Sequence, residues 1–279
     1  MTENTVSYQH LMAFREVLVR EEKSPATVEK YLRDARVFAA YVADREITKE
    51  LTLRYKQELQ QKQYSLRSVN SMLAALNRLL DFMGRGDCRV RALRCQRQIF
   101  CAPEKELTKA EYMRLVEASK GQKQLNLVIQ TICGTGIRIS ELKCFTLEEV
   151  RQGEVTVRCK NKTRIILLPG KLRRLLLGYA REQGIHTGCI FVTKGGNPLD
   201  RSNVWAQMKR LCAGAGVAPG KVFPHNLRKL FARTFYGLEK DIAKLADILG
   251  HSSINTTRIY IISTGTEHRR KIERLGLVV

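Results

Sequence analysis

The sequence predicts a mainly α-helical protein with one small antiparallel β-sheet, divided into two domains. Three observations carry that expectation. Up to residue 84 apolar residues recur only at helical spacing, a basic stretch without clear pattern covers 85–106, and beyond it helical periodicity returns, interrupted by two short alternating runs. A chain of 279 residues, 44% of them hydrophobic, is long enough to bury two cores.

In the first domain, residues 1–84, Leu11, Met12, Phe14, Val17 and Leu18 recur at the spacing of a helix. Ser24 followed by Pro25 then reads as an N-cap with proline at the first helical position, opening a helix to about Ala43. Its broad apolar face carries Val28, Tyr31, Leu32, Ala35, Val37 and Phe38. A third helix is expected from Thr48 to Gln61. A fourth begins near Ser65, carries Val69, Met72, Leu73, Leu76, Leu79, Leu80 and Met83, and stops at Gly84. The expectation is a bundle of four helices.

Residues 85–106 bring Arg85, Arg89, Arg91, Arg94 and Arg97 against Asp87 alone until Glu104, and Pro103 discourages a continuous helix. This stretch reads as a domain linker. It is either a solvated connector or a strap along phosphates, and the self-repulsion of five arginines favours the strap.

The second domain, 107–279, restarts with Thr108 as N-cap and helices near 108–119 and 123–133. After Gly134-Thr135-Gly136 a short helix is expected through Arg138, Ser140, Glu141 and Leu142. Residues 154–158 and 164–168 then read as strands around a hairpin tip at 159–163, and Ile190-Phe191-Val192 is a candidate third strand. Helices over 202–213, 225–237, 240–249 and 255–262 complete the domain. A basic tail from Thr266 carries Ile272, Leu275 and Leu277.

Lys and Arg outnumber Asp and Glu by 49 to 27, a formal charge of +22. With both signs interspersed, that balance points to a folded protein facing a polyanion, with double-stranded DNA or RNA the first candidate. An anionic membrane surface is the rival, but no apolar run approaches roughly 18 residues, and no signal-peptide or lipidation pattern is present. A cytoplasmic protein with no membrane partner is therefore expected. The eight cysteines form no CxxC pair and no cluster at zinc spacing, so they read as reduced, buried apolar residues with no metal.

The candidate chemistry gathers in Val222–Ile262, where His225 and Arg228 stand at i,i+3, followed by His251 and Tyr260. A single tyrosine is more often a core residue. A phenolate attacking a phosphodiester needs positive charge on the non-bridging oxygens, an acceptor for its proton and a donor for the leaving alkoxide. Arg138 and Arg228 offer the charge, His225 and His251 the acceptors, and Lys160 or Lys162 the donor. Each arginine alone reads more readily as half of a surface salt bridge, and each lysine as a solvated hairpin residue. Glu141 either orients an arginine or caps a helix.

GTGIRISELKCFTLEEV at 134–150, RCKNKTR at 158–164, PHNLRKLFART at 224–234 and LGHSSINTTRIY at 249–260 resemble, in order and spacing, the successive boxes of the tyrosine recombinase (phage-integrase type) family. The helical N-terminal region is similar to the core-binding domain of Xer-like and transposon integrases, which makes residues 107–279 the expected catalytic domain. The resemblance implies that Arg138 and Arg228 clamp the scissile phosphate and that Lys160 is the general acid, with Lys162 in reserve. It further implies that His225 acts as base or phosphate ligand, that His251 hydrogen-bonds a non-bridging oxygen and that Tyr260 forms a 3′-phosphotyrosyl bond. Two departures stand out: Lys229 follows the second arginine where relatives often have histidine, and the hairpin is a residue shorter than usual.

The implied activity is site-specific DNA recombination by a homo-tetramer on two duplexes, without an energy cofactor or metal, since one phosphoester is exchanged for another. The tail then docks on a neighbouring protomer or packs on its own. Two alternatives remain: a non-catalytic DNA-binding relative and a type IB topoisomerase. Integration or excision of a mobile genetic element and resolution of chromosome dimers are equally compatible with these residues.

Overall fold

The computed structural model describes residues 6–94, 103–159, 162–193, 195–262, 269–270 and 272–276. The chain divides into two compact units, Met1–Arg97 and Gln98–Val279.

The first unit contains the four expected helices: α1 (Tyr8–Arg20), α2 (Pro25–Val42), α3 (Lys49–Gln61) and α4 (Leu66–Phe82). Each starts at a hydroxyl residue, Ser7, Ser24, Thr48 or Ser65, whose side chain accepts a hydrogen bond from a first-turn amide. Phe14, Leu18, Phe38, Tyr55, Leu73, Leu76 and Leu79 meet in a closed core. Met12 and Val37, counted above on apolar faces, are exposed.

The segment expected to begin the linker belongs instead to this bundle through residue 93. Cys88 and Val90 are buried in the same core. The Thr52 hydroxyl donates to the Cys88 carbonyl at 2.8 Å. Two asparagine amides of α4 each satisfy both backbone groups of a linker residue. Asn77 donates to the Val90 carbonyl and accepts from its N–H at 2.8 and 2.9 Å, and Asn70 does the same for Leu93 at 2.9 and 2.7 Å. Arginines interleaved with apolar residues hid this edge-like pairing from periodicity. Arg85 and Arg89 reach Asp87 and Asp81 at 3.6 and 3.5 Å, while Arg91 and Arg94 are exposed. Arg97 lies outside the described residues.

The second unit opens with α5 (Lys109–Ala118), started by a reciprocal Thr108–Glu111 capping box, and α6 (Lys123–Thr135). The expected short helix at Arg138 is a 3-10 turn over Ile139–Cys144, with Arg138 itself extended at its start. Next come α7 (Leu147–Gln152), β1 (Glu154–Cys159), β2 (Lys162–Leu167) and α8 (Gly170–Glu182). β1 and β2 pair antiparallel with Glu154 opposite Leu167 and Cys159 opposite Lys162.

Neither α7 nor α8 was expected. For α8 the cue is present in Leu172, Leu176, Tyr179 and Ala180, a buried stripe at helical spacing. Ile190-Phe191-Val192 forms no third strand. Its flanks make only isolated bridges, Cys189 with Thr146 and Val192 with Pro198, while Ile190 and Phe191 fill the core, so buried apolar residues there imitated a strand.

The remaining helices are α9 (Arg201–Ala215), α10 (Pro224–Glu239), α11 (Ile242–Leu249) and α12 (Ile254–Ile261). α10 packs along α6, and at Gly136, at the end of α6, φ is +65° and an added Cβ would lie 2.4 Å from Cδ1 of Phe231. Ala232, Leu245, Leu249 and Tyr260 form a separate small cluster that seats α12 on α10 and α11. In the tail, Ile272 and Leu275 are exposed and Leu277 lies outside the described residues.

Candidate active site

Arg228 is the buried centre of the site, 1% exposed on the first turns of α10. Its guanidinium donates to the Gly136 carbonyl at the end of α6, to the Leu249 carbonyl at 2.7 Å and to Nε2 of His251 at 3.0 Å. Its Nε–H is buried without a hydrogen-bond partner among the described residues. Burial first, then the neighbouring Arg138, lowers its pKa to about 10, which still leaves it charged at neutral pH.

Arg138 is more open and is held by Glu141. That carboxylate accepts the Arg138 backbone N–H at 2.7 Å and Nη1 at 3.0 Å, and Nη2 reaches the Gly250 carbonyl at 3.4 Å. Glu141 is buried at 4% exposure and also accepts from Arg164 on β2 at 2.6 Å. Glu141 therefore both caps the 3-10 turn and orients an arginine. Arg138 and Arg164 both pair with this one carboxylate, and Arg228 stands near enough to feel its charge, which leaves the group cationic and suited to an anion.

Tyr260 projects from α12 into this cluster and is 8% exposed. Its ring lies 4.9 Å from the His225 ring, 4.8 Å from the His251 ring and 5.7 Å from the Arg228 guanidinium carbon. Arginine has only donors to offer, so Nε2 of His251 is the acceptor in its contact with Arg228. Nδ1 of His251 then carries the proton and donates to the hydroxyl of buried Thr257 at 2.9 Å. Beside the tyrosine a cleft of about 410 Å³ is lined by Arg138, Ser140, Arg201, Trp205, His225 and Arg228.

Both imidazoles are held neutral. Burial first, then Lys229, Arg228, Arg201 and Arg138, lowers His225 to about 4. Burial first, then Arg228, Arg138, Arg164 and His225, lowers His251 to about 4. Because these folded values lie below the unfolded value near 6.5, the unfolded chain takes up protons first as pH falls. The associated stability is complete above about pH 6.5, declines between about 6.5 and 4, and is constant below. His225 is exposed to solvent, which screens its neighbours, so the larger share belongs to the partly buried His251. Urea unfolding of the native protein is expected to lose about 1–2 kcal/mol more between pH 7 and pH 4 than that of His251→Gln. Parallel pH dependences would show that His251 titrates normally.

The structure thus brings together Arg138, Glu141, His225, Arg228, His251 and Tyr260, drawn from three separate sequence boxes. Lys160 lies outside the described residues. Lys162 begins β2, opposite Cys159 in the register. Sequence reasoning missed Arg164, Thr257, Arg201 and Trp205. Arg164 closes the hairpin box, and as an arginine two residues from an apolar inward position it was open to recognition. Thr257 has only its place six residues after His251 to mark it. The helical bundle has its own larger hollow, about 570 Å³, but Lys30 and Arg33 there reach Asp34 at 2.5 and 3.5 Å, so those cations have a protein partner.

Comparisons with known proteins agree with this arrangement. The phage integrase family model matches residues 105–267, and the model of the phage integrase N-terminal SAM-like domain matches 11–86. Tyrosine recombinase XerA of Pyrococcus furiosus is 30% identical over 286 aligned positions, covering 100% of this chain and 98% of the relative. Tyrosine recombinase XerD of Vibrio cholerae is 29% identical over 74% of each chain. Among solved structures, XerA recombinase aligns over 97% of this chain and 99% of its own, with 25% identity and a TM-score of 0.55. A lambda integrase dimer bound to a core site aligns over 93% of this chain and 78% of its own, with 17% identity and a TM-score of 0.73, a likeness of fold. With a family model over more than half its length and a full-length relative, the chain belongs to the phage integrase family, the tyrosine recombinases.

Proposed function

We propose that Tyr260 is the nucleophile with which this site-specific recombinase opens a DNA strand, and that Arg138, Arg228, His225, His251 and a hairpin lysine complete the reaction. The seat of Tyr260 carries the reading: its ring lies within 5 Å of two neutral imidazoles and within 6 Å of a buried arginine.

In this reaction the Tyr260 oxygen attacks phosphorus while its proton passes to a neutral histidine. The bond from phosphorus to the 5′ oxygen breaks, that oxygen takes a proton from Lys160, with Lys162 as the reserve donor, and a 3′-phosphotyrosyl ester remains. Arg138 and Arg228 neutralise the non-bridging oxygens, the unpartnered Nε–H of Arg228 supplying one donor. His251 becomes a donor to the phosphate only once Nε2 is protonated, which the incoming negative charge favours. A 5′-hydroxyl from a second strand reverses the step. One ester replaces another throughout, so the exchange needs no energy cofactor.

Double-stranded DNA is the proposed partner and the cytoplasm the proposed place of its work, and strand exchange between two duplexes calls for four protomers. A solved lambda integrase tetramer bound to a Holliday junction shares the fold at a TM-score of 0.73. Among the described tail residues, the exposed Ile272 and Leu275 are available for a contact between protomers.

The test is covalent trapping. A library of nicked duplexes is incubated with the protein, denaturation-resistant complexes are sequenced, and the attachment residue is mapped by mass spectrometry. Attachment at Tyr260 to an enriched site is expected. Absence of any complex would return the chain to the non-catalytic DNA-binding alternative, and relaxation of plasmids lacking the enriched site would indicate a topoisomerase.

Arg91 and Arg94, exposed where the bundle gives way to the linker, are proposed to run along phosphates, with Arg85, Arg89 and Arg97 as the rest of that basic stretch. Affinity falls with salt at a log–log slope of roughly −0.9 per phosphate neutralised. Replacing Arg91 and Arg94 together by glutamine is expected to make the slope shallower by about 2. An unchanged slope would make the stretch a plain connector.

A further inference from the structure

We propose that Arg164 is a positioning residue for strand cleavage, clamping the Glu141 carboxylate and the Ile248 carbonyl so that Arg138 and the turn bearing His251 keep one arrangement. The inference rests on the cleavage reading above and adds a residue to it.

The pleat of β2 explains why the side chain arrives there. Ile166 is buried while Ile165 and Leu167 are exposed, so Arg164 shares the inward face with Ile166. Its side chain is 12% exposed. One nitrogen of the guanidinium, Nη2, donates to Glu141 at 2.6 Å, and the other, Nη1, donates to the Ile248 carbonyl at the end of α11. The stem passes over Gly250, where φ is +63° and a Cβ would lie 2.7 Å from Cδ of Arg164. Glycine at 250 thus both closes α11 in a left-handed conformation and leaves room for the arginine.

A charged side chain so buried is costly unless paired, and here one planar fork joins three segments distant in sequence. Through Glu141 it fixes the backbone and guanidinium of Arg138. Through Ile248 it fixes the turn whose Gly250 carbonyl also receives Arg138 and whose next residue is His251. The same strand begins at Lys162, so the clamp also holds β2 against the phosphate-binding groups. Lysine at this position cannot reproduce it, because a single ammonium is not a two-pronged fork.

The test compares Arg164→Gln and Arg164→Lys with the unsubstituted protein on nicked duplex carrying the enriched site, measuring the single-turnover rate of adduct formation at saturating DNA and, separately, the Kd. The glutamine variant is expected to cleave about 100-fold more slowly with Kd within about threefold, since misplacement on the order of 1 Å costs about that much. The lysine variant should recover part of the rate. In the double variant Arg164→Gln, Glu141→Gln the rate should be no lower than in the worse single variant, because both act through one clamp. Should Arg164→Gln fail to fold, the lysine variant and Glu141→Gln carry the same comparison. An unchanged rate, or a loss confined to thermal stability or Kd, overturns the role of Arg164 alone. No adduct from the unsubstituted protein overturns the cleavage reading and this inference together.

Discussion

Tyr260→Phe is expected to bind DNA with a Kd within about twofold of the unsubstituted protein and to form no phosphotyrosyl adduct, a loss of roughly 10⁴-fold or more, since the covalent route disappears with its nucleophile. The ring itself is mainly a packing element. It completes the small cluster with Ala232, Leu245 and Leu249 and stands against the two imidazoles and Arg228, all of which phenylalanine preserves. Thermal unfolding should therefore move by less than about 2 °C, consistent with a change of well under 1 kcal/mol. Adduct formation is read on denaturing gels with nicked duplex and binding by fluorescence anisotropy. Residual adduct in Tyr260→Phe would place the nucleophile elsewhere and would falsify the assignment.

Arg228→Lys is expected to lower the single-turnover cleavage rate by about 10³-fold or more and to lower thermal stability as well, by about 4–8 °C. The two losses have separable causes. Catalysis loses a forked, permanently charged donor beside the nucleophile, which an ammonium replaces with a single point of charge. Stability suffers because the carbonyls of Gly136 and Leu249 and Nε2 of His251 all rely on the one guanidinium, and a buried acceptor left without its donor costs about 1–3 kcal/mol. Calorimetry and single-turnover cleavage at a temperature where both proteins are folded distinguish these effects. A stable variant cleaving at the normal rate would remove Arg228 from the reaction.

Its burial would give Arg228 both proposed roles. It is the link through which the end of α6, the end of α11 and the imidazole of His251 hold one position. A phosphate entering the cleft then meets groups already ordered, and little reorganisation remains for the reaction to supply. Arg164 does the corresponding work on the other side of Glu141. The two arginines act in one region but answer to different partners, so their substitutions are expected to differ in kind as well as in size.

Local sequence determined the helices of the first bundle, from the caps Ser7, Ser24, Thr48 and Ser65 to the apolar stripes between them, because caps and periodicity act within a few residues. It also singles out the groups we propose for the chemistry, since histidine, arginine and tyrosine at those spacings are a statement about functional groups. The share of 85–106 that joins the bundle was decided only by tertiary structure: Asn70 and Asn77 pair with backbone on a segment whose own pattern is silent. So were the 3-10 turn at Arg138, set by the Glu141 carboxylate, and the reduction of Ile190-Phe191-Val192 to a buried crossing. Above all, the place of Tyr260 was not written locally. Its neighbours His225 and Arg228 arrive from α10 and His251 from the turn after α11, and glycines at 136 and 250, where an added Cβ would press on Phe231 and Arg164, let the surrounding segments approach closely.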